Sequence, residues 1–476
     1  MPRRRILDRV IPPPVEFVAY RSAAGRWVLA AATLGSGMVL LDGTVVNVAL
    51  RRIGTDLDAD LSQLQWIVNG YLLALASLIL LGGSLGDRFG RRRIFVIGVV
   101  WFAVASAMCA LAPTAEWLIV ARVLQGVGGA LVTPGSLAII QSVMAPDDRA
   151  PAIGAWSGLG GIAAAIGPLV GGVLIDYASW RWIFLINVPL AALTIWVTLR
   201  HVPETSDPEA CPSFDVLGAV LGAVALAGVT YALIEWGGPV AAPLAVVGVV
   251  AGVAFLRVER RSGFPMLPLS LFGSRVFSAA NLMTLLVYGA LGAVLFFLVI
   301  QLQTTLGWSA LEAGLATLPI TVIMLLLAAQ GGHLATRIGP RVPMTFGPVV
   351  MALGTLWLRG LDESGGWAQV LPGMTVFSLG LALMVAPLTA TVLAAAPDRR
   401  AGIASGVNNA VARTGSLLAV AALPAVVGLA GDDYAVPEVF TDGYQLALSL
   451  CAGVLVAGGV VSWVAIPGGV QPAYTD

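Results

Sequence analysis

Long apolar stretches alternate with short polar breaks along the whole chain. Ile94 to Ala115, Val123 to Pro146, Trp182 to Leu199 and Val216 to Ile234 run with few or no charges. A crossing needs about 20 apolar residues, because a helix rises ~1.5 Å per residue through about 30 Å of hydrocarbon. Fourteen segments meet that length, at 27–50, 64–86, 93–112, 116–141, 151–175, 181–200, 214–236, 239–258, 277–302, 312–333, 342–360, 367–394, 402–430 and 443–466. The pattern predicts an all-α polytopic membrane protein.

Composition agrees and narrows the class. Of 476 residues, 58% are hydrophobic and 11% charged, with a mean hydropathy of +0.90. Soluble domains carry about 25% charged residues, so a soluble enzyme, a disordered chain and a nucleic-acid binder are excluded. The 56 glycines suit helices that pack closely in lipid. All 26 basic residues are arginines, and their placement tests the helix count. With the N-terminus inside, 20 fall on inner segments, four (Arg51, Arg52, Arg181, Arg359) on outer ones, and Arg122 and Arg413 lie within spans. That asymmetry follows the positive-inside rule and puts both termini in the cytoplasm of a bacterial cell membrane. Cys109, Cys211 and Cys451, with His201 and His333, lack metal-ligand spacing. No phosphate-binding GxxxxGK[ST] loop occurs, so ATP is not the driver. No cofactor, metal or catalytic residue is expected.

An internal repeat organises the chain. Gly83–Arg92 reads GSLGDRFGRR, and a weaker copy, GHLATRIGPR, spans Gly332–Arg341, offset by 249 residues. A six-helix half occupies only about 27–200, so two helices are inserted between the halves. The expected organisation is a basic tail (1–26), an N-terminal bundle (27–200), a linker (201–213), two extra helices (214–258), a second linker (259–276), a C-terminal bundle (277–466) and a tail (467–476).

With those motifs the chain resembles the major facilitator superfamily, specifically its fourteen-helix drug:proton antiporters. Four segments carry the likeness: Leu41–Leu50 (LDGTVVNVAL, with Thr44 and Asn47) at the end of helix 1, the GSLGDRFGRR loop, Ala121–Ala130 (ARVLQGVGGA) in helix 4, and Gly167–Gly172 (GPLVGG) in helix 5. Gly406–Gly415 (GVNNAVARTG) also looks like the family's helix 13. Two departures stand out: Arg51 occupies a position usually held by proline, and the second loop has Thr336 and Pro340 in place of an acidic and a basic residue. The resemblance implies two six-helix bundles plus two inserted helices, and export of small amphiphilic compounds or antibiotics in exchange for protons. Its partners are a small-molecule substrate, protons and the bilayer; the oligomeric state is left open, with function expected of a monomer. Export of an endogenous metabolite or natural product, and a non-transporting sensor or scaffold, remain open alternatives.

The few charges left in the spans are the candidate chemistry. A carboxylate at mid-membrane costs about 2.5–3.5 kcal/mol if it faces lipid, so Asp42 must face a cavity or a partner. It either carries a proton or is a hydrogen-bonded packing element. Arg122 lies at similar depth on helix 4 and is a plausible partner. The resemblance implies proton coupling for it, and snorkelling to the interface is the plainer reading. Gln125 follows one turn on. Arg413 is deeper, without an acid within one turn. Its counter-charge comes from another helix or from an anionic substrate group, unless it is a polar staple between helices. Asn408 and Asn409 could line the same route.

Gly83, Asp87, Arg88, Gly90, Arg91 and Arg92, echoed by Gly332, Arg337 and Gly339, form the candidate gating loop, with lipid anchoring as a partial alternative. Gly167, Pro168, Gly171 and Gly172 form a candidate hinge, because proline frees a carbonyl and bends a helix. Trp27, Trp117, Trp180, Trp182, Trp236 and Trp367 read as interfacial anchors, and Glu235 as an interfacial carboxylate. Tyr71, Trp66, Asn69, Gln301 and Gln303 are weaker cavity candidates. Arg51 either alters the outer gate or carries no role, and the second reading is the plainer.

Overall fold

A computed structural model describes residues 17–207, 215–397 and 400–469. Most of the N-terminal tail, the second half of the first linker with Cys211, Arg399 and the end of the C-terminal tail lie outside the described residues. Fourteen helices are long and apolar enough to cross a membrane. They are α1 (Ala23–Leu57), α2 (Leu61–Phe89), α3 (Arg91–Ala110), α4 (Ala115–Val143) and α5 (Arg149–Tyr177). α6 (Trp182–His201) is interrupted at Ile186, and α7 (Val216–Ile234) and α8 (Ala241–Arg261) follow. α9 (Arg275–Thr304), α10 (Ala310–Ile338, interrupted at Thr317), α11 (Arg341–Arg359), α12 (Trp367–Ala394), α13 (Ala401–Val426) and α14 (Pro437–Ala465) complete the set.

The fourteen expected spans are all present, with ends displaced where capping overrides hydropathy. α2 begins at Leu61 because Asp60 and Gln63 form a reciprocal capping box, which satisfies two orphan amides. α13 stops at Val426, and α14 starts six residues before the predicted position, at Pro437, whose missing amide proton costs nothing at a helix start.

α1–α6 and α9–α14 form two bundles, and α7 and α8 pack as a hairpin against α2 and α13. The repeat is visible in the packing. Gly82 on α2 lets the backbone of α4 approach at Ala130, and Gly331 on α10, offset by the same 249 residues, does so for Ala382 of α12. Gly90 and Gly339 both have left-handed backbones (φ +106° and +83°), and each is covered by the segment leaving its bundle's last helix, near Glu204 and Gly468.

The bundles meet on the arginine-poor side. One apolar cluster there draws on both, from Val45–Ile53, Leu64 and Phe184 to Phe296–Leu302, Phe440 and Tyr444. Polar bonds reinforce it. Gln303 Nε2 donates to Val48 O (2.9 Å), and Tyr434 Oη to Ala59 O (2.8 Å). Gln65 Nε2 donates to Val420 O (2.7 Å), and Asp176 accepts from the amides of Ala310 and Leu311 (3.1 and 2.9 Å). Arg51 also joins this seal, donating from Nη1 to Gln303 O, against the plainer reading of the sequence, which gives it no role. On the arginine-rich side the bundles have separate apolar clusters. Leu80 of α2, packed against the C-terminal cluster and facing Gly406, is a bridge between them. The apolar seal shared by the two bundles thus lies on the outer side.

Trp180 departs from the expected aromatic belt. It is fully buried, edge-on to Phe184, and its Nε1 donates to Asp56 (3.0 Å). Trp27, Trp117, Trp182, Trp236 and Trp367 are exposed, as an interfacial belt requires.

Candidate functional site

α1, α4, α2, α3 and α6 converge on one buried polar cluster. Asp42 is 0% and Arg122 1% exposed, and Arg122 Nη1 lies 2.5 Å from Asp42 Oδ2. Gln125, one turn beyond Arg122 on α4, bridges the pair. Its Oε1 accepts from Arg122 (2.6 Å), and its Nε2 lies 2.8 Å from Asp42 Oδ1 and 2.7 Å from Ser106 Oγ. Asn187 Nδ2 lies 3.1 Å from Asp42 Oδ1. Arg122 Nε donates to Ile67 O (3.1 Å), and its guanidinium lies 4.3 Å from the centre of the Tyr71 ring. Tyr71 in turn donates to Val39 O (3.1 Å).

Every contact to the Asp42 carboxylate is thus a donor. A buried charge is tolerated when it is paired and its remaining lone pairs are satisfied, and this cluster does both. Arg122 does not snorkel. Asn187 and Ser106 complete a site of which the sequence marked Asp42, Arg122, Gln125 and, as a weaker candidate, Tyr71. Asn187 was legible only as a polar residue inside the apolar run of helix 6.

Asp42 sits on a helix that reaches every neighbour of interest. Two residues on, Thr44 Oγ1 lies 2.9 Å from Ala164 O and 3.0 Å from Leu41 O. Ala164 is four residues before Pro168, so its carbonyl is the one deprived of an intrahelical proton. The helix 1 and helix 5 motifs therefore meet at one hydrogen bond. Gly167 and Gly171 face Thr44 and Val45 inside van der Waals contact, so no larger residue fits there, and Gly172 does the same against Leu311 of α10. Asn47 is half-buried on α1, one turn beyond Gly43, which faces Tyr71.

Arg413 lies elsewhere. It is half-buried, and makes no ion pair or hydrogen bond with a described residue. The two asparagines before it diverge. Asn408 Nδ2 turns into the C-terminal bundle, to Asn281 Oδ1 (3.2 Å) and Thr284 Oγ1 (2.8 Å), and Asn409 is exposed.

The α2–α3 loop forms a latch within its own bundle. Asp87 Oδ1 pairs with Arg91 (2.7 Å to Nη2). The first amides of α3 are capped by a residue the sequence did not single out: Glu204 Oε1 accepts from Arg92 N (3.0 Å) and Oε2 from Arg93 N (3.1 Å). Glu204 also lies 3.6 Å from the Arg92 guanidinium. A carboxylate at a helix N-terminus is favoured by the macrodipole. Thr205 O accepts from Arg91 N, and Asp87 O from Asp207 N (both 2.8 Å). Arg88 lies over Phe89, Gly83 packs beside Pro134, and Gly332 beside Ala386. Arg337 is exposed.

Two helical bundles joined mainly on one side, with their polar chemistry at mid-depth, define a secondary-active small-molecule transporter of the membrane. The chain belongs to the Major Facilitator Superfamily, whose family model matches residues 32–420 and 281–470. It is 35% identical over 417 residues to the tetracenomycin C resistance and export protein of Streptomyces glaucescens, covering 85% of this chain and 77% of that protein. It is 34% identical over 476 residues to a puromycin resistance protein of Streptomyces alboniger, covering 95% and 94%. Among solved structures, a bacterial homolog to the human lysosomal transporter Spinster aligns with a TM-score of 0.66 at 18% identity, over 93% of this chain and 97% of that one, which speaks for the fold alone. The protein is a transporter and not an enzyme.

Proposed function

We propose that the protein is a proton-coupled exporter of small amphiphilic compounds or antibiotics, working by alternating access. The observation that carries this is the buried Asp42–Arg122 pair and its position on α1. Val48 and Arg51, which hold the outer seal through α9, are about 9 and about 14 Å further along the same helix. A proton reaching Asp42 from outside cancels its charge and leaves Arg122 without a counter-ion. The pair between α1 and α4 then weakens, and the load on α1 changes. Re-forming the pair with the molecule open inward expels the proton to the cytoplasm. The arrangement sealed on the outer side, with Asp42 surrounded by donors, fits the state after that release. The gating roles of the α2–α3 loop, Asp87 and the Gly167–Gly172 hinge belong to the same reading. The resistance and export proteins among the relatives favour an antibiotic or a similar natural product as cargo.

The test is proton movement in everted vesicles on adding amphiphilic dyes of both charge signs, fluorescein and ethidium, either of which counts as cargo. Wild-type protein should release protons from the lumen, Asp42→Asn should abolish the release, and Arg122→Ala should reduce it by at least tenfold. Unchanged coupling in both variants would overturn the assignment.

A further inference from the structure

The Asp42–Arg122 pair balances its own charge, but Arg413 does not. Its helix neighbours define where it sits. Gly406, two turns before it, faces Leu80 of α2, and Val420, two turns after it, accepts from Gln65 of α2. Positions seven apart share a helix face, so Arg413 points toward the N-terminal bundle from mid-depth. On its other side α9 crosses closely: Ser416 Oγ donates to Tyr288 O (2.9 Å), and Gly289 packs on Gly415. The Arg413 charge reaches the phenol groups of both Tyr71 and Tyr288, one from each bundle. Tyr288 Oη makes no hydrogen bond with a described residue. Asn409, one turn below, is exposed. Arg413 thus stands between the bundles with no donor engaged by a described residue, within electrostatic reach of the Tyr288 phenol.

We infer that the transported compound carries an anionic group, a carboxylate, sulfonate or phenolate, which Arg413 receives while its apolar body lies against Leu80 and the tyrosines. Guanidinium groups favour such planar anions through paired, charge-assisted hydrogen bonds. The inference rests on the exporter reading and names the cargo's charge class.

The test compares two dyes on one xanthene scaffold, anionic fluorescein and cationic rhodamine 6G, by fluorescence anisotropy with the full-length protein in nanodiscs and no gradient. Fluorescein should bind more tightly than rhodamine 6G. Arg413→Gln should weaken fluorescein by at least about tenfold, the scale of a lost charged hydrogen bond, and leave rhodamine 6G unchanged or tighter. Arg413→Lys should restore part of the loss. The wild-type ranking needs no variant, so a misfolded Arg413→Gln leaves the test intact. Fluorescein binding no tighter than rhodamine 6G, including no binding of either, or unchanged in a folded Arg413→Gln, overturns the anionic assignment. Rhodamine-driven proton release by the wild type in vesicles would then leave the exporter reading standing, whereas no proton release by the wild type with either dye would remove both.

Discussion

Thr44 does the work of an amide that Pro168 lacks. Its hydroxyl supplies a proton to Ala164 O from a helix 120 residues away in sequence. Removing it leaves a buried carbonyl unsatisfied, at about 1–3 kcal/mol. Thr44→Val, nearly the same shape, should therefore lower the thermal unfolding midpoint in detergent, and Thr44→Ser should keep it near wild type. Equal midpoints would show that the bond carries no weight. The contrast explains what was legible at this scale. Asp42 and Arg122 stand out in any apolar run because lipid penalises a charge, and each must find a partner. Thr44, Asn187 and Glu204 carry no such penalty in sequence. Their importance comes from what lies across from them, a proline-freed carbonyl, a carboxylate oxygen and the bare amides of α3. Only Pro168 itself advertised that a carbonyl needed a donor somewhere.

Elements behave as levers here because small residues set their crossings. α5 meets α10 where Gly172 lies on the Leu311 backbone and Gly314 on the Pro168 carbonyl, with room for no side chain at either. Asp176, at the end of α5, then caps the first amides of α10. These contacts exist with the outer side closed. Gly314→Ala should keep α10 from settling on α5 and shift the population toward the outward-open form. A cysteine placed at Asn47 should then react faster with a membrane-impermeant maleimide added outside, by several-fold over the same cysteine in the Gly314 background. Unchanged labelling would mean that the crossing is not a closure point. The helices and their alternation were readable from hydropathy and arginine placement because both answer to the bilayer. The crossings were not, because a glycine stripe says that something comes close without saying which helix. α14 likewise began earlier than its apolar run, since Pro437 and Glu438 tolerate a helix start that hydropathy does not reward.

Across the whole molecule, the closed outer face and the separate inner clusters make one of two end states, and the charges at mid-depth are arranged unequally between the bundles. With Asp42 ionised, the pair in the N-terminal bundle cancels and Arg413 leaves one positive charge. An anionic cargo would bring the loaded carrier to neutrality. The return from outward to inward, with Asp42 protonated and the cargo gone, would carry two uncompensated guanidinium groups. A charge crossing the full field is worth about 2.3 kcal/mol per 100 mV, and a negative interior pulls positive charge inward. Membrane voltage would thus spare the export step and drive the reset. In proteoliposomes given a potassium diffusion potential, fluorescein efflux by the wild type should quicken as the interior becomes more negative, with a shallower dependence for Arg413→Gln. An unpaired arginine, costly as architecture, would then be the part of the protein through which the cell's electrical gradient, and not only its pH gradient, is put to use.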